Sequence, residues 1–186
     1  IDLVFLWHMH QPDYRDHGAV ADPTPTQKLG DGDTATAAPR EDESAATGEF
    51  VLPWVYLHAM KDYVDMAAHL ERHPQIRCVV NLVPVLLDQI EDYVQQFATG
   101  EFRDPLLRML ATPDLETISE DDRRMLLTTC FRSNHSTMLT PFPQYERLHD
   151  LYLLLTHKNK PAYRYLSANY FSDLVTWYHL AWTGET

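Results

Sequence analysis

Ile1-Asp2-Leu3-Val4-Phe5-Leu6-Trp7-His8-Met9-His10-Gln11-Pro12 opens the chain, and the fold is read from it. Leu3 to Trp7 is an unbroken apolar run, rich in strand formers and too short for an ordinary helix. Such a run is expected to form a strand covered on both faces, as parallel strands of α/β proteins are. Polar side chains begin where the run stops. His8 and His10 stand two apart, so an extended backbone projects them from one face. Pro12 keeps Gln11 out of the helical region and holds the exit extended. Imidazoles and an amide at the carboxyl end of a buried strand occupy the place where α/β folds bind their ligands.

Outward from this stretch, the next ordered pattern is a helix from Trp54 to Arg72. Leu57, Met60, Val64, Ala67 and Leu70 follow helical spacing, Pro53 suits the first turn, and Pro74 lies just past the end. Ile76 to Leu82 reads as a second strand. Strand, helix and strand in this order imply a right-handed parallel crossover. A second helix should bury Leu86, Ile90, Val94 and Phe97 and stop at Gly100. Beyond it the pattern is helical: Asp104-Pro105 opens a short helix, and Ser119 with Asp122 caps another through Met125, Leu126 and Phe131. Arg132 to Pro143 reads as a loop, Tyr145 to Leu155 as a helix, and Ser172 to Trp182 as one more. The expected class is α/β, with two parallel strands and crossover helices over 1–100 and a mainly helical part over 101–186.

Residues 17–49 interrupt this order. They hold scattered Pro, Gly, Thr, Ala and acidic residues and almost no bulky apolar side chain. Such a segment cannot bury enough surface to offset its ordering entropy, and reads as a surface loop or a substrate lid.

The chain has 186 residues, 45% of them hydrophobic, enough for one globular core. Its formal charge of −12 argues against nucleic acid and anionic membranes as partners. No apolar run approaches the ~20 residues of a membrane span. Cys78 and Cys130 make no disulfide framework, and a reducing, cytoplasmic setting is the simpler expectation. A start inside a strand and a last stretch without a closing element suggest a fragment of a longer protein, which would need the remainder of its own chain.

His10-Gln11-Pro12 after an apolar strand resembles the first sequence motif of glycoside hydrolase family 57, the α-glucan-active amylases, branching enzymes and glucanotransferases. Leu52-Pro53-Trp54-Val55-Tyr56-Leu57-His58-Ala59-Met60-Lys61-Asp62-Tyr63 resembles the segment that follows in its α-amylase and amylopullulanase branch. Val79-Val80-Asn81-Leu82-Val83-Pro84-Val85-Leu86-Leu87 resembles the second strand and its exit. The likeness passes from Tyr14-Arg15-Asp16 to Val51-Leu52-Pro53, which marks 17–49 as an insertion. The resemblance implies the start of an incomplete (β/α)7 barrel followed by a helical insertion. It further implies a retaining hydrolase acting on starch, glycogen or maltooligosaccharides.

His8, His10, Gln11 and Trp54 are the candidate substrate-binding residues. An imidazole and an amide each offer donor and acceptor capacity for sugar hydroxyls. The competing reading of His10 is a core imidazole satisfying nearby backbone, and His8 could simply orient the other ring. Trp54 could stack on a sugar or pack in the core, and Asn81 could meet a ligand or a loop. Two His with one residue between them could also share a cation, but the motif holds no third ligand, so no metal and no cofactor is expected. His69 and His73 lack the Glu placement of a zinc protease and read as surface residues.

Retaining glycosidases need two carboxylates across the scissile bond. In the family these are a Glu nucleophile and an Asp acid/base on later strands. Nothing here matches either motif, so no catalytic residue is named and the fragment alone is expected to be inactive. A metal-dependent carbohydrate deacetylase on a related barrel and a non-catalytic sugar-binding or scaffold module stand as alternatives.

Overall fold

The computed structural model describes residues 5–16, 48–156 and 162–184. Phe5–Met9 forms β1 and Cys78–Leu82 forms β2, paired in parallel with Phe5 opposite Cys78 and His8 opposite Asn81. β1 therefore runs further than the apolar run that announced it. His8 lies inside the strand and His10 just past it. The faces of the sheet are open, against the expectation of a strand covered on both sides. Phe5, Leu6 and Trp7 are 54%, 68% and 55% exposed, and Val79, Val80 and Leu82 are exposed beside them. Two strands cannot close a sheet, so side chains suited to a double-sided core are left facing outward.

Between the strands, the expected helix over 54–72 is continuous but not uniform. Trp54–His58 (α1) passes through a π-helical turn, Ala59–Tyr63, into Val64–Arg72 (α2). A π turn carries an extra residue, and everything after it is rotated about the axis. Val64 is 46% exposed for this reason, whereas Met66 and Leu70 face Phe5 and Trp7 across an open apolar groove of about 470 Å³. The wider turn also frees the Met60 carbonyl, which accepts the Gly184 N–H at 3.2 Å. That bond ties the end of the chain's last helix to the first.

Pro84–Thr99 (α3) starts on proline, ends at Gly100 with φ 75°, and packs against α1. Its buried face is only partly the one expected: Leu86 is fully buried and Ile90 packs on the core, but the later two positions do not. Val94 and Phe97 are 63% and 52% exposed, while Leu86, Gln89, Asp92, Tyr93 and Gln96 point inward. The reason is what lies beneath the helix: irregular chain whose backbone groups need partners. Gln89, fully buried, donates to Pro12 O at 2.9 Å and Val85 O at 3.0 Å and accepts from Tyr14 N at 2.9 Å. Gln96 donates to Asp92 Oδ1 at 2.9 Å and accepts from Arg103 N at 2.7 Å. Asp92 is also bonded by the Arg103 guanidinium.

Of the expected insertion 17–49, only Gly48 and Glu49 lie among the described residues. Its two ends are fastened together. Arg15 and Phe50 form an antiparallel bridge, Asp16 N donates to Glu49 O at 2.7 Å, and Val51 N donates to Tyr14 O at 2.9 Å. A Cβ on Gly48 would collide with the Asp16 carbonyl, so the close approach needs glycine there.

The rest is helical. Asp104 caps Pro105–Ala111 (α4) through Leu106 N and Leu107 N, and Ser119 with Asp122 forms a capping box on Glu120–Cys130 (α5). The expected loop after α5 contains a second π-helical turn, His135–Leu139. Pro143–Thr156 (α6), a short 3₁₀ turn at Ala162–Tyr165 and Ala168–Ala181 (α7) follow. α7 begins earlier than periodicity suggests because Ser167 caps it through Tyr170 N. α4, α5 and α6 all pack on α7, which buries Tyr170, Phe171, Leu174, Val175 and Tyr178 among them. No helix among the described residues is long and apolar enough to cross a membrane. Cys78 and Cys130 are both free thiols.

Gln89→Met keeps the volume but orphans the Pro12 carbonyl and the Tyr14 N–H, and should lower the unfolding free energy in urea by about 2–3 kcal/mol. Val94→Ala, on the exposed side of α3, should change it by less than ~0.5 kcal/mol. Buried His179 accepts the Tyr56 O–H at 2.8 Å and donates through Nδ1 to Val175 O at 2.7 Å. Burial lowers its pKa below the usual 6.5. The unfolded chain therefore takes up a proton near pH 6.5 that the folded chain refuses. Stability should be present above that pH and lost as the pH falls through the folded value. His179→Gln should flatten the slope measured by unfolding across this range.

Candidate functional site

The polar end of β1 is built by the alternation of an extended backbone. His8 and His10 share one face, their rings stacked with centroids 5.8 Å apart and planes 10° from parallel. The parallel register puts Asn81 beside His8, and its amide donates to His8 Nδ1 at 2.9 Å. Neutral His8 thus carries its proton on Nε2, leaving a donor for solvent or ligand. His8, His10 and Asn81 are all exposed, so no core packing holds the imidazoles in place. Met9, pointing to the opposite side, is the buried anchor of the strand end, and its carbonyl accepts Val83 N at 3.3 Å.

Gln11, half-buried, is held at both ends of its amide. Oε1 accepts the Tyr14 O–H at 2.9 Å, and Nε2 donates toward the Tyr63 hydroxyl at 3.5 Å. Burial, with Tyr63 nearby, raises the Tyr14 pKa above its usual 10, so this phenol keeps its proton. Tyr63 comes from the π-helical turn, and the extra residue of that turn sets the direction of its ring. Neither tyrosine stands out in the sequence. Tyr14 lies in irregular chain without periodicity, and Tyr63 reads as an ordinary helix residue.

Below this segment Arg15 is 7% exposed and surrounded by acids. It bonds Asp13 bidentately at 2.9 and 2.8 Å, Asp88 at 2.5 Å and, less closely, Asp92 at 3.7 Å. These bonds hold the guanidinium charged, with its pKa further raised. The chain that leaves β1 is thereby fixed by charge and hydrogen bonds in addition to the bridge between Arg15 and Phe50.

Trp54, at the start of α1, belongs to an aromatic cluster. Its ring lies 5.9 Å from Trp182 and 6.2 Å from His58. His58 bonds Asp62 and packs 6.3 Å from the Tyr63 ring, which makes His58 a neighbour of both Trp54 and Tyr63. His8, His10 and Gln11 are brought together at one strand end, and Trp54 belongs to an aromatic cluster at the neighbouring helix start. His69 and His73 are exposed, as the spacing suggested. Among the described residues no group of three or more His, Cys, Asp and Glu side chains is placed to hold a metal ion.

What this arrangement can do is bind. Exposed imidazoles and a clamped amide, backed by aromatic rings, suit a neutral polyhydroxylated ligand, whose hydroxyls both donate and accept. The family model of Glycosyl hydrolase family 57 matches residues 4–186 of the chain. Neither the curated proteins nor the solved structures contain a match.

Proposed function

The chain belongs to glycosyl hydrolase family 57, and from that premise we propose that it is the N-terminal part of a retaining α-glucan hydrolase nearest the α-amylase branch. Its substrate class is starch, glycogen or maltooligosaccharides. The observation that carries this reading is the group at the carboxyl end of β1: exposed His8 and His10, stacked on each other with His8 bonded by Asn81, beside half-buried Gln11 held by Tyr14 and Tyr63. In this reading 1–100 begins an incomplete (β/α)7 barrel and 101–186 is its helical insertion. The free edges of the β1–β2 pair then take the later strands, and these with their helices cover the exposed faces. Those strands bring the Glu nucleophile and the Asp acid/base, so the chain alone is expected to be inactive. Cys78 and Cys130 remain thiols, which suits a cytoplasmic enzyme. No cofactor is required, because the retaining reaction runs on two carboxylates.

His10→Ala tests the site in the complete enzyme. His10 is exposed and opens little core when truncated. Its loss should lower kcat/KM on soluble starch by about 10–100-fold, the weight of one hydrogen bond to substrate, while thermal unfolding stays near wild type. Trp54→Ala should differ, lowering the melting temperature as well, because its ring packs on Trp182 and His58. A His10→Ala enzyme with normal activity per folded molecule would remove His10 from the site.

A further inference from the structure

The amide of Gln11 is the most constrained polar group at the strand end, and its constraint has a direction. A carboxamide has one acceptor oxygen and two N–H donors. The oxygen is occupied by Tyr14, whose phenol is held protonated by burial. One N–H points to Tyr63. What remains for a ligand is the second N–H. The Tyr63 oxygen, in accepting from Gln11, keeps its own proton free to donate. Tyr14 cannot drift from its task, since its backbone is fixed on both sides: N–H to buried Gln89 at 2.9 Å, C=O to Val51 N at 2.9 Å.

We propose that Gln11 and Tyr63 form a paired-donor subsite, an amide N–H beside a phenol O–H, and that Tyr14 is the positioning residue that keeps the Gln11 oxygen turned away. Two donors separated by the 3.5 Å of the Gln11–Tyr63 contact suit the oxygens of neighbouring hydroxyls on one sugar ring. The subsite selects a vicinal diol presented as acceptors, and rejects ligands that offer only donors there. Its donors are already oriented before binding, so little freedom is lost when the sugar arrives. For the identity of that sugar the proposal rests on the α-glucan reading above.

The test is a set of variants of the complete enzyme, assayed for kcat and KM on maltopentaose with thermal unfolding measured alongside. Gln11→Glu keeps the shape but can only accept, so it should lose as much kcat/KM as Gln11→Ala, about 10–100-fold. Tyr63→Phe removes the second donor and should lose about 10-fold. Tyr14→Phe keeps the ring, frees the amide to turn, and should lose roughly 3–10-fold. In the Gln11→Ala background the same Tyr14→Phe change should cost nothing further, because Tyr14 acts only through Gln11. A purely structural tyrosine would instead show its full loss in both backgrounds. Near-wild-type activity of Gln11→Glu, or additive losses in the double variant, overturns the proposal while leaving the α-glucan reading intact. A wild-type enzyme inactive on maltopentaose overturns both.

Discussion

A carboxamide without access to water must find every partner inside the protein, and Gln89 does so while joining α3 to the chain that leaves β1. One side chain on α3 takes the Pro12 carbonyl and the Tyr14 N–H, closing over the stretch where the chain leaves β1. Pairing with the chain at Phe50 begins only at Tyr14 and Arg15, so the Pro12 carbonyl and the Tyr14 N–H rely on this side chain. Without the amide, Pro12 O and Tyr14 N would lose their partners just beside Gln11. The placement of the polar strand end thus depends on a residue that touches none of the imidazoles.

The second support is electrostatic. Arg15 lies almost wholly out of solvent with Asp13, Asp88 and Asp92 around it, and Asp92 is shared with Arg103. Desolvating a guanidinium is costly, and the surrounding carboxylates offset that cost only as a complete set. Such a cluster adds little net stability compared with apolar packing. Its effect is specificity of place: the charge fits only where the acids converge. Both supports converge on the same few residues after β1, which are the residues that carry the candidate site.

How much of this could be read from the sequence depends on whether the signal was local. β1, β2, the stop at Gly100, the Asp104 cap and the Ser119–Asp122 capping box are local, and all were legible. The grouping of His8, His10 and Gln11 was legible for the same reason, being a consequence of alternation and a proline. The buried face of α3 was legible at Leu86 and Ile90 but not further along the helix. Apolar periodicity selects Val94 and Phe97, but the ground beneath the helix is irregular backbone, which asks for amides and carboxylates instead. The turn at Ala59–Tyr63 was hidden too, since its freed carbonyl is answered by Gly184 from far along the chain. With that turn unseen, neither the direction of Tyr63 nor its meeting with Gln11 could be anticipated.

The bridge between Arg15 and Phe50 has a consequence for how this part of the molecule can vary. Because the chain departs and returns at one clamped pair, the residues between are thermodynamically a closed loop. Doubling the length of such a loop costs only about 0.6 kcal/mol of closure entropy. Length and composition there can drift, be trimmed or be exchanged for another segment with little change in the free energy of the whole. The condition is that Gly48 still lets the strands approach and Arg15 still finds its acids. The clamp makes this position a docking port for sequence, a few residues from the polar end of β1.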